Sequence, residues 1–140
     1  MTVAATTELE AINIMLAAIG EAPVNSLIGT LPVDVKLAQS TLTEFNKEIQ
    51  SEGWSFNTEI DVTLTRDASN QIALSQDILR IDANIHQHPT IDPIQRGLKL
   101  YDRLNNKFEF DEDLICTVIY LRTFEEIPEP ARRYITIKAA

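Results

Sequence analysis

Two histidines, His86 and His88, lie two residues apart, with Asp82 and Asp92 nearby. On a strand this spacing would put both imidazoles on one face. A neighbouring carboxylate could then complete a zinc or manganese site for metal-dependent hydrolysis. Zinc sites use three or four ligands steadied by outer hydrogen bonds. Here the pair stands in a loop, 86–93, marked by Pro89 and Pro93, with no second ligand cluster. A solvated loop is the plainer reading, so neither a metal nor a cofactor is expected. The run Asp111-Glu112-Asp113 lacks EF-hand spacing and any internal glycine, so it reads as a solvated turn. Its charges also discourage edge-to-edge strand pairing. Cys116 is the single cysteine and sits in the apolar run 114–120. A nucleophilic thiol needs a base and exposure; this setting predicts a buried free thiol. Arg132-Arg133 could pair with Glu125, Glu126 or Glu129. No G-x-S-x-G, P-loop or G-x-G-x-x-G is present, and the four glycines are isolated. No catalytic residues are assigned.

The elements that would carry these residues alternate between two periods. A first helix is predicted near 8–19. Thr7 and Glu10 have capping-box spacing, and Leu9, Ile12, Leu16 and Ile19 recur on one stripe, widened by Met15. Ile14, Ala17 and Ala18 fall off that stripe, so the helix should pack on two neighbours. Gly20 supplies its left-handed stop. A second helix is predicted over 32–52, with Pro32 in its first turn and a stripe of Val35, Ala38, Leu42, Phe45 and Ile49.

After Gly53 the period falls to two. Trp54 and Phe56, then Ile60, Val62 and Leu64, alternate with polar residues, as strands with one buried face do. Trp54 could be an exposed interface anchor; the plainer reading has it sealing the junction of helices and sheet. Short strands follow at Ile72–Leu74 and 78–81. A hairpin is expected from 98–104 and 108–110 around Asn105-Asn106. The strongest strand is 114–122. From Pro130 the pattern is helical again and ends at Ala140 without a cap, which reads as a helix interrupted in mid-course. The predicted class is α+β: a helical bundle built from 1–53 and 123–140, with an antiparallel β insertion at 54–122.

One feature does not fit a solvated connection. Between the first two helices, Pro23, Val24, Asn25, Leu27, Ile28 and Leu31 mix turn formers with apolar groups. Those apolar groups need a cover, from the chain's own core or from another chain, so these six residues form the candidate subunit or partner interface.

The 140 residues suit one domain, or one with an insertion. No apolar run reaches the ~18 residues of a membrane helix. The start MTVAATTELE has neither a basic n-region nor an apolar h-region, so no secretory signal is expected. The net charge is −9. Residues 1–65 hold nine acidic and two basic groups, and residues 66–140 hold twelve and ten. Such a chain repels phosphates and lacks the basic footprint of a nucleic-acid binder.

Five segments in order, TTELEAINIMLAAIGEAPVNSL (6–27), EIQSEGWSFNTE (48–59), LRIDA (79–83), RGLKLYDRLNNKFEF (96–110) and PEPARRYITIKAA (128–140), resemble the tail tubular protein A family of short-tailed, autographivirus-type bacteriophages. The resemblance implies a structural protein of the virion tail, assembled in the host cytoplasm. It implies a dodecameric ring that joins the portal protein to the nozzle of tail tubular protein B, with tail fibres attached near that junction. DNA would pass through the channel during ejection without specific binding. The acidic first half suits a channel wall, because phosphate contacts would retard the genome. The alternatives are a small metal-dependent hydrolase using His86 and His88, or a non-viral α+β interaction module.

Overall fold

A computed structural model of the chain describes residues 5–140. Its elements are α1 (Glu8–Ala18), α2 (Val33–Gln50), β1 (Thr58–Leu64), β2 (Ile78–Ala83), β3 (Pro93–Arg96), β4 (Lys99–Asp102), β5 (Leu114–Tyr120), a 3-10 turn (Phe124–Glu126) and α3 (Glu129–Ala139). The class is α+β. Two compact units result, Met1–Glu52 with Arg122–Ala140 and Gly53–Leu121.

In the first unit the three helices each pack on the other two. α1 buries Ala11, Ile12, Met15 and Leu16, α2 buries Val35, Ala38, Leu42 and Ile49, and α3 buries Ile135. Each fully buried large side chain contributes roughly 1.5–3 kcal/mol, so packing, more than caps worth about 1 kcal/mol, decides that these helices form. Several boundaries differ from the sequence expectation. Thr7 caps α1 by accepting from the Glu10 amide at 3.1 Å, but the return bond of a capping box is not what closes this end. The Glu8 N–H, one residue on, donates to Glu125 Oε1 at 2.8 Å. The complete box belongs to Thr123 and Glu126 at the 3-10 turn. Pro32 is the residue before α2 and Pro128 the residue before α3. Ile19, expected on the buried stripe, lies just past the end of α1 and is exposed.

Polar side chains lock the three helices together. The Thr6 amide donates to Glu129 Oε2 at 2.6 Å and its hydroxyl to Glu129 Oε1. Arg132 donates to the carbonyls of Thr6 and Ile127 at 2.8 Å and to that of Glu125, and its guanidinium lies 3.6 Å from the Glu125 carboxylate. The Thr6 hydroxyl and then the Thr6 amide hold the Glu129 carboxyl below the usual range. Buried Gln50 pairs with the Arg122 backbone, accepting from its N–H and donating to its C=O at 2.8 Å each, while Asn46 also donates to that carbonyl.

In the second unit β5 is central, antiparallel to β1 on one side and β2 on the other. The core gathers Ile72, Leu74, Ile78, Ile81, Leu100, Phe110, Leu114, Cys116 and Val118. The expected alternation of Ile60, Val62 and Leu64 fails at Ile60. Between Glu59 and Val62 the register shifts, and Asp61 takes a φ of 56°. This β-bulge turns Ile60 out to solvent. The hairpin expected around Asn105-Asn106 is a turn with one isolated bridge, Asp102 to Lys107. The true hairpin is β3–β4, closed by Gly97-Leu98. Gly97 has φ 66°, a positive first position that two-residue hairpins favour. Ile72 and Leu74 are buried beside isolated bridges, in place of the expected strand.

Candidate assembly surface

The apolar loop between α1 and α2 is shaped by its own backbone chemistry. Gly20 has φ 78°, its N–H donates to the Ala17 carbonyl at 3.1 Å, and the Glu21 N–H reaches the Leu16 carbonyl at 2.8 Å. These two bonds are the Schellman closure of a helix. The chain then turns back along α1. Asn13 accepts from the Val24 N–H at 2.8 Å and donates to the Val24 C=O at 3.0 Å, so one amide side chain acts as a surrogate strand partner. Ser26 Oγ accepts from the Ile28 N–H at 3.1 Å, a local turn bond, and Gly29 has φ 86°.

This frame sorts the six candidate residues. Val24, Leu27 and Leu31 are half-buried, whereas Pro23, Asn25 and Ile28 are exposed. Ile28 is 89% exposed. The chain's own core therefore covers part of the loop and leaves its most apolar tip bare. More apolar surface continues from it into α2, where Val33 is 79% and Leu37 63% exposed. Beside Leu37, a groove of about 140 Å³ is lined by Met15, Ile19, Asp34, Ala38, Thr41, Ala139 and Ala140. Isoleucine, valine and leucine are thus left open on the loop and on the segment that follows it. Asn13, Ile19, Val33 and Leu37 escaped the sequence reading. Asn13 is a lone amide within the apolar string AINIML; Ile19 is expected on the buried stripe of the first helix, and Val33 and Leu37 lie off the stripe of the second.

The groups that could have done chemistry have structural tasks. His88 is buried, contrary to the solvated loop expected for it. Its Nε2 accepts from the Ile115 N–H at 3.0 Å and its Nδ1 lies 2.8 Å from Glu112 Oε1. An acceptor Nε2 places the ring proton on Nδ1, facing the carboxylate. His86 is exposed. Among the described residues no group of three or more His, Cys, Asp or Glu is placed to hold a metal. Asp113 accepts from the Arg66 amide at 3.0 Å and its Nε at 3.2 Å, and these bonds hold its carboxyl low. Cys116 is fully buried, and burial, reinforced by the charge of Asp82, pushes its thiol up to about 11.

Asp102, which no motif marked, is the buried hub of its turn. It accepts from the amides of Asp92, Leu104 and Asn105 and from Asn105 Nδ2 at 2.6 Å. Burial alone would raise its pKa; these donors outweigh burial and lower it. Trp54 is partly exposed, with its ring stacked 6.3 Å from that of Phe56.

The model of a family described as "Tail tubular protein" matches residues 9–140 of this chain. The chain is also similar to tail tubular protein A of Klebsiella phage KP34, 30% identical over 129 residues. That alignment covers 91% of this chain and 66% of the relative, so the chain spans just under two thirds of that relative's length.

Proposed function

The chain belongs to the tail tubular protein family, a structural and non-enzymatic component of the phage tail, and from that premise we propose that it is the subunit of an adaptor ring. The ring joins the portal to the tail nozzle, carries tail fibres near that junction, and lets genome DNA pass during ejection. Assembly takes place in the host cytoplasm, and the closed ring is a dodecamer.

The observation that carries this reading is the apolar loop pinned by Asn13 with Ile28 held out in solvent. A ring subunit needs two different, mutually complementary faces so that rotation closes, and Pro23, Val24, Asn25, Leu27, Ile28 and Leu31 supply part of one. The surplus of acidic groups in residues 1–65 supports a channel that does not retain DNA.

Light scattering on the purified chain, alone and with portal rings, tests the proposal. Discrete ring-sized particles, alone or seated on portal, are expected. A chain that stays monomeric and binds neither portal nor nozzle rings removes it.

A further inference from the structure

Two outward helix faces of the first unit are complementary to each other. On α2, Val33, Leu37, Glu44 and Glu48 follow one another at steps of four, seven and four, which keeps them on one face, and all four are exposed. This face is apolar at the N-terminal end and carries Glu44 and Glu48 at the other, with exposed Lys47 at its margin. On α3, Pro130, Arg133, Tyr134 and Ile137 recur at helical spacing, with Lys138 at the margin, and all are exposed. Ile137 is 69% exposed, and Lys138 Nζ stands 5.7 Å over the Tyr134 ring. In a chain of net charge −9 this is a basic and apolar face. None of the ion pairs among the described residues uses Glu44, Glu48, Arg133 or Lys138. Both faces thus hold apolar groups in water and charges outside any salt bridge, although the Arg133 charge also lowers the nearby Glu129 carboxyl.

We propose that the α3 face of one copy seats on the α2 face of the next, with Ile137 against Val33 and Leu37 and with Arg133 and Lys138 toward Glu44 and Glu48. The occupant is a second copy of this chain, because the two faces match in both sign and apolar character. Different faces meeting head to tail give a heterologous contact, the kind that closes into rings. The inference rests on the ring reading and adds which helices touch.

Charge exchange tests it. One variant carries Glu44→Arg and Glu48→Arg, the other Arg133→Glu and Lys138→Glu. All four positions are exposed, so melting is expected to match the unmodified chain; should a variant misfold, Gln at Glu44 and Glu48 replaces the reversal. Alone, each variant is expected to self-associate at least about tenfold more weakly, because like charges then meet. Mixed in equal amounts, the two restore assembly, since every α2 face again meets an α3 face of opposite sign. Undiminished assembly of either variant overturns the face assignment and leaves the ring reading standing. Failure of the mixture to recover also overturns it. An unmodified chain that never self-associates, with or without portal rings, removes both.

Discussion

Ile28→Asp separates folding from assembly. Ile28 is 89% exposed, so the isolated subunit has almost none of that side chain's burial to lose. Substitutions at such sites usually stay within about 0.5 kcal/mol, which moves a melting midpoint by about 3 °C or less in a domain of this size. In an assembly that covers the loop, the loss is larger. Burying an isoleucine contributes roughly 1.5–3 kcal/mol, and forcing an unpaired carboxylate into the same apolar contact costs a few kcal/mol more. At about 1.4 kcal/mol per factor of ten, each contact should weaken by roughly a few hundred- to ten-thousandfold. Light scattering or sedimentation reads the assembly, and circular dichroism melting reads the fold. Leu27→Asp serves as the contrast: Leu27 is half-buried, so both readouts should fall together. The reasoning is refuted if Ile28→Asp melts far below the unmodified chain, or if it assembles equally well.

Three other outcomes follow from the geometry. Asn13→Ala removes both bonds to the Val24 backbone and should cost about 1–3 kcal/mol, with faster hydrogen exchange at the Val24 amide; an unchanged melt counts against the pin. Asp102, Asp113, Glu126 and Glu129 all have folded pKa values below their ordinary ones. Their stabilisation is therefore fully present above about pH 4.5 and is lost as pH falls through the lowered folded values; in Asp102→Asn, acid melts should lose part of that slope. Cys116, fully buried with its thiol near 11, should resist a thiol reagent in the native chain and react once in denaturant; fast native labelling contradicts the buried strand.

Much of the architecture was legible because it rests on period. The stripe of Val35, Ala38, Leu42 and Ile49 and the apolar run of β5 marked their elements directly, and Gly20 marked the end of α1. What escaped was set by pairing between distant residues. β3 contains one large apolar residue, Ile94, behind Pro93, so nothing local distinguishes it from a loop until β4 lies beside it. The bulge at Ile60-Asp61 is a register event seen only against Thr117 and its neighbours. His88 reads as polar in the string and becomes buried because Ile115 and Glu112 meet its two nitrogens. The apolar loop was legible as an anomaly, while its division into a covered half and a bare tip depended on Asn13, whose partner lies eleven residues on.

The pairing of Gln50 with the Arg122 backbone gives the chain a modular joint. The polypeptide leaves the helical unit after Glu52 and returns at Arg122, and Gln50 with Asn46 fastens the returning strand end two residues from the point of departure. The helical unit thus closes its own circuit whatever is spliced between those two residues. Because the entropy of closing a loop grows only slowly with its length, the spliced segment is free to lengthen, shorten or be replaced while the three-helix core keeps its contacts. Chimaeras joined at these two positions should fold.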